Sequence, residues 1–465
     1  MREFTPWAIA GLCALGMAAS PALAASDASD DKSVTEKVLD ILKDQGTIDD
    51  AKYDELMREA EQERKAAPLP AVSAAEPNPE GWSAYWKDGT RIERNDGYYK
   101  IKIGGRVQYD FAAIGADSDV NDEFGTDTRG TGVDLRRGRL FVSGNIGEHG
   151  IFKGQYDFAG DGEGDLKDAY GGLTKLPGVG TAKLGHFKEP FSLEEQTSSK
   201  YITFMERSLP ILAFSKARNA GLGFNNTAFD QRMTWAIGGF RETDDNGDGF
   251  SNDSAYNVSL RMTGLPVYED DGRELVHVGY SYSHSFLNNE DVRFRARPEA
   301  HSTSKRLVDT RIDGVDIVSD GVDVFGGELA WVRGPLSLQG EAVATLVDRD
   351  KASDRTFWGA SGQVSYFLTG EHRVYDLKTG AFKRTAPNED FSISKNQWGA
   401  FEVAARYSHL SLNDGSLRGG IESNYTLGVN WYLYRNLRLM VNGVWAHLNG
   451  VGDMYIGQTR VSLDF

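Results

Sequence analysis

The sequence predicts an all-β protein: a transmembrane antiparallel β-barrel of about sixteen strands, preceded by a short N-terminal helical segment. Three observations support this. Residues 1–24 have the pattern of a secretory signal peptide, most segments after Tyr98 alternate apolar and polar side chains, and the chain ends on an alternating strand that finishes with Phe465. Exported chains built this way are typical of bacterial outer-membrane barrels. We therefore predict that the protein lies in the outer membrane of a Gram-negative bacterium.

The first element is a cleavable signal at residues 1–24. Arg2 precedes an apolar stretch from Trp7 to Ala19, and small residues at 22 and 24 fit a cleavage site after Ala24. The alternative, a membrane anchor, needs a longer apolar run. Cys13 lies inside this signal, so the mature chain is predicted to have no cysteine. Its stability must then come from hydrogen bonds and packing rather than from disulfides.

Composition restricts the remaining choices. No other segment has the ~20 consecutive apolar residues of a membrane helix, and the mean hydropathy is -0.45. A membrane-spanning chain of this kind must close into a barrel, because only then are all backbone groups hydrogen-bonded. The net charge of -17 argues against nucleic acid as a partner. It does not decide the selectivity of a pore, since charges beyond about 8 Å are screened at physiological salt.

Residues 25–80 are predicted to be a periplasmic segment with two short helices, from about Ser33 to Ala66, and a Pro/Ala-rich linker from Ala67 to about Glu80. Gly46 separates the helices, and Thr47 is predicted to cap the second. Two interpretations stay open: a trimerising coiled coil or cell-wall contact, and a loosely ordered tail, since such short helices are marginal in water. The apolar stripes at helical spacing are Val34, Val38, Ile41 and Leu42, then Tyr53, Leu56, Met57 and Ala60.

Residues 81–465 are predicted to form the barrel. A soluble sandwich would show the same alternation, but the signal, the terminal Phe465 and strand lengths near ten residues favour a membrane barrel. In the last strand Tyr455, Gly457, Thr459, Val461, Leu463 and Phe465 share one face, and Ile456, Gln458, Arg460, Ser462 and Asp464 share the other. In the first strand Ile101, Ile103, Val107, Tyr109 and Phe111 are predicted to face lipid, opposite Lys100, Lys102, Arg106, Gln108 and Asp110.

The predicted connections mostly alternate between short and long. Short turns are expected at the periplasmic end and long loops outside. One connection, Thr369 to Gln397, is long but falls on the periplasmic side, so either a strand pair is miscounted or this turn is enlarged. The short turns include 147–149, 229–231 and 435–436, and the long loops run near 116–132, 188–218 and 288–321.

One long run and four shorter stretches of the β region are distinctive. The long run, from His186 to Pro210, reads His-Phe-Lys-Glu-Pro-Phe-Ser-Leu-Glu-Glu-Gln-Thr-Ser-Ser-Lys-Tyr-Ile-Thr-Phe-Met-Glu-Arg-Ser-Leu-Pro. The others are Lys102-Ile-Gly-Gly-Arg106-Val-Gln, Leu135-Arg-Arg137, Leu368-Thr-Gly-Glu371 and Thr426-Leu-Gly-Val-Asn-Trp-Tyr432. In this order they resemble the phosphate-selective porins of the O and P type, and the resemblance covers the whole β region.

The resemblance implies a homotrimer of sixteen-stranded barrels, each with its third long loop folded into the lumen as a constriction. It also implies passive diffusion of small anions, phosphate or polyphosphate, along a ladder of arginines into a zone of arginine, lysine and serine above a lysine-rich exit. The positions that match the family are Arg106, Arg136 and Arg137 on the first two strands, Arg295 and Arg297 on a long outer loop, the loop serines Ser198 and Ser199, and the exit lysines Lys102 and Lys183.

The third long loop departs from the family pattern at one position. Phosphate-specific members carry a lysine three residues before the first loop serine, where this chain has Glu195. A carboxylate facing the pore would repel phosphate. Two basic residues are predicted to offset it: Lys188, earlier in the run, and Arg139, on the same strand face as Arg137. Both therefore join the predicted pore-lining set.

The arginines also have a purely structural interpretation. Arginine on the lipid face costs about 2–4 kcal/mol at the bilayer midplane, so Arg137 and Arg139 are expected to point inward whether or not they bind anions. Their functional interpretation is a basic ring that concentrates anions at a constriction. Arg293, Arg295 and Arg297 would share one face of an extended loop. Two interpretations are equal here: the three arginines attract anions, or the loop is simply solvated.

Other chemistry is weakly indicated. Asp244, Asn246 and Asp248 resemble the first half of a calcium loop, but Ala255 stands where a bidentate Glu is expected, so an acidic turn is preferred. No phosphate-binding glycine loop, catalytic set or metal-ligand spacing stands out. We therefore predict no enzyme activity, no cofactor and no metal.

The leading hypothesis is a passive outer-membrane channel for small anions, embedded in outer-membrane lipid and recognised by the barrel assembly machinery through Phe465. The alternatives are a general or weakly selective porin, which Glu195 favours, and a mainly structural protein that links the outer membrane to the cell wall through residues 33–66. Deleting the helical segment separates a channel from a tether, because a channel should keep its conductance whereas loss of a tether should weaken the cell envelope.

Overall fold

The computed structural model describes residues 34–66, 80–125, 128–159, 164–244, 247, 249, 255–311, 314–350 and 352–465. The chain divides into two compact units, Met1–Pro77 and Asn78–Phe465. The predicted signal peptide and the predicted Pro/Ala linker lie outside the described residues, apart from Glu80.

The first unit contains the two predicted helices, α1 (Val34–Asp44) and α2 (Asp50–Ala66). Gly46 lies between them with a φ of +66°, a conformation that favours glycine and ends a helix. The predicted cap is wrong: the backbone N–H of Lys52 donates to Asp49 Oδ1 at 2.8 Å, so Asp49 caps α2 and not Thr47. A carboxylate suits this position because it also interacts with the positive end of the helix dipole. Among the described helices, none is long and apolar enough to span a bilayer.

The second unit begins with a hairpin and continues as a closed antiparallel barrel of sixteen strands, as predicted. The hairpin is β1 (Trp82–Trp86) and β2 (Thr90–Arg94). The first eight barrel strands are β3 (Tyr99–Ala116), β4 (Gly130–Ile146), β5 (Gly150–Asp157), β6 (Asp165–Leu176), β7 (Gly180–Lys188), β8 (Arg218–Ala228), β9 (Met233–Arg241) and β10 (Tyr256–Glu269). The other eight are β11 (Glu274–Val292), β14 (Ile317–Arg333), β15 (Leu336–Asp348), β16 (Arg355–Phe367), β19 (Ala400–Asp414), β20 (Leu417–Tyr434), β21 (Leu437–Leu448) and β22 (Gly452–Asp464).

The barrel closes where the last strand pairs with the first. β22 runs antiparallel to β3 from Met454 opposite Ala116 to Asp464 opposite Arg106. Beyond this point β2 continues the pairing, with Thr90 opposite Ile103. Phe465 completes the seam through two backbone hydrogen bonds with Gly105, of 2.8 and 3.1 Å. Closure removes the free sheet edges that a membrane would not tolerate.

The wall has the predicted two faces. On β22 the outward Tyr455, Val461 and Leu463 are exposed, whereas the inward Arg460 is fully buried. The same alternation holds on β3, where Val107, Tyr109 and Phe111 are exposed and Arg106, Gln108 and Asp110 are buried. An apolar outer face and a polar inner face are what a membrane barrel with a wet interior requires.

The two ends of the barrel differ. At one end, which we call the short-turn end, neighbouring strands are joined by short turns such as 147–149 and 435–436. At the other, the long-loop end, the first long loop carries α3 (Ser118–Phe124) and the fifth, residues 293–316, carries β12 (Arg295–Ala296) and β13 (Val308–Asp309). The strand count is as predicted, so the long connection after β16 is an enlarged turn rather than a miscounted strand pair.

The enlarged turn, residues 368–399, enters the lumen from the short-turn end. It contains β17 (Tyr375–Asp376) and β18 (Ala381–Phe382), whose apolar side chains are buried. Phe382 packs with Leu193 of the third long loop and with Leu265 and Leu275 of the wall. The inward path of this turn was not predicted from the sequence.

The third long loop, residues 189–217, folds into the lumen as the family resemblance implied. It carries two short helices, α4 (Leu193–Gln196) and α5 (Leu209–Phe214). Phe191, Leu193, Met205 and Leu209 are almost fully buried. Because these apolar side chains pack inside the barrel, the loop is a fixed part of the lumen and not a solvated excursion.

Candidate functional site

The third long loop is fastened to the wall by carboxylates. Glu341 of β15 accepts hydrogen bonds from the backbone N–H groups of Leu193 (3.0 Å) and Glu194 (2.8 Å) and from the hydroxyl of Ser192 (2.6 Å). The carboxyl group of Glu341 therefore caps the N-terminus of α4. Ser192, the residue before this helix, has a φ of +63°. Further along the loop, Glu194 pairs with Arg406 of β19 at 3.2 Å. These contacts fix the loop at mid-height in the barrel.

The predicted arginines of β3 and β4 point into the lumen opposite this loop. Arg106 faces Arg139 across the β3–β4 pair, and Arg137 faces Gln108. The register shifts at Arg136, so Arg136 and Arg137, although adjacent in sequence, both contact the loop. The bulge explains how a run of two arginines is placed on one side of a strand.

Most of these arginines are already paired. Arg106 donates to the hydroxyl of Ser199 at 2.5 Å, and Arg137 donates to Gln108 at 2.9 Å. Arg139 forms a buried ion pair with Asp157 at 2.5 Å. The prediction that Arg139 offsets Glu195 is therefore wrong, because a neighbouring strand supplies Arg139 with its own carboxylate.

Glu206 of the third long loop is the centre of the cluster. Arg136 binds its two carboxylate oxygens at 2.8 and 2.9 Å, Arg460 lies at 2.7 Å and Arg137 at 3.7 Å. Burial alone would raise the pKa of the Glu206 carboxyl, but the three arginines hold it well below its ordinary value. The roles of Glu206 and Arg460 were not predicted from the sequence. The inward position of Arg460 on the last strand was the available signal.

Glu195 does not face the pore as a free carboxylate. Lys188, the last residue of β7, pairs with it at 2.8 Å, and Arg207 lies at 3.0 Å. Burial would raise the pKa of Glu195, yet Arg207 and Lys188 together hold it below its ordinary value. The predicted compensation by Lys188 is present, and Arg207, which sequence analysis overlooked, takes the part expected of Arg139.

The predicted loop serines differ in exposure and partners. Ser199 is buried and accepts the hydrogen bond from Arg106, while its backbone carbonyl accepts one from Gln108 at 3.3 Å. Ser198 is half-buried and accepts a long 3.4 Å bond from the backbone N–H of Lys200. The pair lies where the third long loop comes closest to β3.

Arginines from β4 and from the fifth long loop surround a cavity of about 330 Å³ between the third and fifth long loops. We call it the arginine cavity. Arg293 is paired with Asp309, and Arg297 donates to the backbone carbonyl of His301 at 3.1 Å. Arg306 was not among the predicted site residues. The cavity is lined by Arg136, Arg293, Arg295, Arg297 and Arg306, with His301 and Glu206.

The predicted exit lysines lie on strands near the short-turn end. Lys102 sits over the ring of Phe141, at 5.5 Å from its centroid, and its charged neighbours include Lys200, Arg91 and Arg384. Lys183 lies over Tyr170 at 5.4 Å and Phe187 at 5.9 Å. The eleven predicted residues thus fall at three levels of the lumen, and the structure does not gather them into one cluster.

Metal chemistry finds no support in the part of the chain that the structure describes, where no three His, Cys, Asp or Glu side chains come together as ligands. Most of the predicted acidic loop at 244–255 lies outside the described residues, including Asn246 and Asp248.

Comparisons with known proteins agree with this architecture. Residues 101–453 match the family model described as phosphate-selective porin O and P. Porin O of Pseudomonas aeruginosa is 26% identical over 382 residues, which are 75% of this chain and 83% of that protein. An uncharacterised protein of Caulobacter vibrioides is 28% identical over 420 residues, 86% of this chain and 80% of its own. The trimer form of OmpT, an outer-membrane protein of Vibrio cholerae, superposes with a TM-score of 0.50 at 10% identity, covering 79% of this chain and 99% of that one.

Proposed function

The chain belongs to the phosphate-selective porin O and P family and forms an outer-membrane porin channel, and we propose that this channel conducts small anions, phosphate or polyphosphate among them. The family and the fold are those of channel proteins and not of enzymes. By the usual asymmetry of such barrels, the short-turn end is periplasmic and the long-loop end extracellular.

One observation carries the proposal: the arginine cavity. Five guanidinium groups line it, against a single carboxylate, Glu206. Basic walls of low dielectric focus field lines and raise the local concentration of anions. Arg295, which is exposed, and Arg306 are the cavity arginines for which no carboxylate partner is recorded among the described residues. We propose that they capture anions from the extracellular side.

The proposed path continues from the arginine cavity past Arg106 and Ser199 to the exit lysines Lys102 and Lys183. Each step offers hydrogen-bond donors in place of the water that an anion loses in a narrow passage. Binding at several weak sites in series lets an ion leave as easily as it arrives. Transport is passive and follows the concentration gradient.

A second candidate is a weakly selective porin on the same fold. The observation that favours it is the neutralisation of the central cations: Arg139 by Asp157, Lys188 by Glu195, and Arg136 by Glu206. Charges held in such pairs offer little net field to a passing ion. On this account the channel prefers anions only modestly and has no strong phosphate site.

The test is the single-channel reversal potential under a KCl gradient in a planar bilayer, followed by phosphate addition as a blocker of chloride current. We expect anion preference and phosphate block. Replacing Arg295 and Arg306 by Gln should reduce both, whereas Arg349→Gln is a matched control. Arg349 lies in the loop between β15 and β16, at the same end of the barrel, where its guanidinium group donates to the backbone carbonyls of Val318 and Ser353.

Two results contradict the proposals separately. A cation preference in the wild-type channel would overturn anion conduction itself. Anion preference without phosphate block would favour the weakly selective porin.

We also propose that the channel is a homotrimer, since the matched OmpT structure is a trimer form, and that the barrel assembly machinery recognises Phe465. Cleavage after Ala24 and a periplasmic position for residues 25–80 remain proposals, as does a tethering role for α1 and α2. Deleting residues 34–66 tests the tether, because conductance should persist while envelope integrity is lost.

A further inference from the structure

A second cavity lies in the periplasmic half of the lumen and differs in chemistry from the arginine cavity. It measures about 110 Å³ and is bounded by the wall strands β7 to β10, the third long loop and the enlarged turn. Its lining combines the rings of Phe187 and Phe240 with Lys183 and Lys378. We call it the aromatic pocket.

The two phenylalanine rings are built into the wall. Their centroids are 5.3 Å apart with an interplanar angle of 66°. The ring of Phe240 lies on Gly221 and Gly238, where a Cβ would come within 2.5 and 2.6 Å of its atoms. The ring of Phe187 lies on Gly223, where a Cβ would come within 3.0 Å. The glycines leave the space in which both rings pack, and although the two side chains are largely buried, they contribute apolar surface to the pocket.

Cations border this apolar face. Lys183 lies over the rings of Phe187 and Tyr170 and forms no ion pair among the described residues. Lys378, at the tip of the enlarged turn, is exposed and likewise has no ion pair in the described part of the chain. The other cations that line the pocket are occupied: Lys188 by Glu195, and Arg261 by Glu328 at 2.7 Å.

We propose that the aromatic pocket binds organic anions that carry a flat apolar ring, of the aromatic carboxylate class. The ring would stack edge-to-face on Phe187 and Phe240, and the carboxylate would meet Lys183 and Lys378. At about 110 Å³ the pocket is smaller than the apolar cavity of about 150 Å³ that encloses one benzene molecule, but it opens to the lumen, so the ring enters it while the carboxylate stays at its mouth. Inorganic phosphate would use only the lysines and gain nothing from the rings.

This subsite deepens the proposed function, because the ligand reaches it through the anion path. The test therefore compares benzoate with acetate as blockers of the chloride current, two anions of equal charge that differ in the ring. We expect benzoate to block at concentrations about tenfold lower than acetate, the advantage that two ring contacts of ordinary strength provide.

Three variants identify the source of the preference. Phe187→Leu with Phe240→Leu keeps an apolar side chain at both positions without the rings and should bring the benzoate-to-acetate ratio close to one. Lys183→Gln should weaken both blockers alike and leave their ratio. Tyr425→Leu, which removes an aromatic side chain from the outer face of β20, is the matched control and should change neither. Heat-modified electrophoretic mobility verifies that each variant is folded.

Equal block by benzoate and acetate in the wild-type channel would overturn the proposal, as would a benzoate preference that survives in the double leucine variant. Failure of anion conduction is seen separately, as a cation-selective reversal potential before any blocker is added.

Discussion

At the scale of single residues, the electrostatic field in the lumen depends on how the charged side chains are paired more than on how many there are. Glu195 and Glu206 lie in the same loop, and each is held by more than one cation. The departure from the family pattern at Glu195 therefore removes net charge from the passage without leaving a free carboxylate in it. Replacing Glu195 by a neutral residue should restore the positive charge of Lys188 and Arg207 to the passage.

We expect Glu195→Gln to strengthen phosphate block. The neutral amide keeps the shape of the side chain while Lys188 and Arg207 lose their counter-charge. One unit of charge a few ångströms from the ion is worth about 1 kcal/mol in a well-hydrated passage, or roughly fivefold in half-blocking concentration. The measurement is phosphate block of chloride current. Glu148→Gln, at an exposed periplasmic turn, is the control. An unchanged half-blocking concentration would show that Glu195 does not act on the passing ion.

The ion pairs of Glu195 and Glu206 also determine how these two residues affect the pH dependence of chloride selectivity. A carboxyl whose pKa is lowered in the folded state stabilises that state fully above its ordinary pKa, and this contribution is lost only as pH falls through the lowered value. For Glu195 and Glu206 the ordinary value is 4.5 and the folded pKa is lower. We therefore expect protonation of Glu195 and Glu206 to cause no change in chloride selectivity between about pH 7 and pH 5. Reversal potentials across this range check it, and a change near pH 6 through these residues would contradict the pairing.

At the scale of elements, two inward segments from opposite ends narrow the barrel. The third long loop is attached through wall carboxylates, and the enlarged turn is attached through Arg261, which donates to the backbone carbonyl of Gly380 at 2.8 Å. The two segments meet where Phe382 packs with Leu193. Each is therefore partly held by the other, and loosening one attachment should be visible in the current.

We expect Glu341→Ala to loosen the third long loop. The change removes the three hydrogen bonds between Glu341 and the loop, each worth about 1 kcal/mol, and leaves the backbone N–H groups of Leu193 and Glu194 without this acceptor. Single-channel recordings should show noisier current and a larger mean conductance. Leu338→Ala, on the lipid face of the same strand, should give the wild-type trace. A quiet, unchanged channel in Glu341→Ala would mean that the loop is held mainly by its apolar side chains.

At the scale of the whole molecule, barrel closure depends on the pairing of β3 and β22, which are separated by almost the entire β region. Phe465 lies at the periplasmic end of this seam. Its ring lies close to Gly105, where a Cβ would come within 2.7 Å of it. Phe465 is thus a structural part of the closed barrel, in addition to the assembly signal that we propose it to be.

Deleting Phe465 should lower the amount of folded barrel in the outer membrane several-fold. Two backbone hydrogen bonds with Gly105 are lost, and so is the terminal aromatic side chain that we propose the assembly machinery recognises. The measurement is the fraction of protein with the faster, folded mobility in unheated gels. Phe465→Trp keeps an aromatic terminus and should restore assembly. Normal assembly without Phe465 would remove the proposed role of the last residue.

How far the sequence predicted the site depends on the range of the interaction. The inward direction of Arg106, Arg137 and Arg139 follows from the period of two. Arg106 alternates with the lipid-facing Val107 on β3, and Arg139 alternates with the lipid-facing Leu140 on β4. Their partners do not follow. Arg136 finds Glu206 seventy residues away and Arg460 finds Asp110 at a separation of 350. Sequence spacing carries no information about such contacts.

The barrel, its strand count and its two faces could be predicted from the sequence, because the alternation of apolar and polar side chains is a local pattern that a bilayer requires of every strand. Which charges remain available to an ion could be seen only in the folded protein. The inward path of residues 368–399, the pairing of Glu195 with Lys188 and Arg207, and the meeting of Phe187 with Phe240 all depend on distances across the lumen. Those distances are set by closure of the barrel and by the packing of two loops inside it.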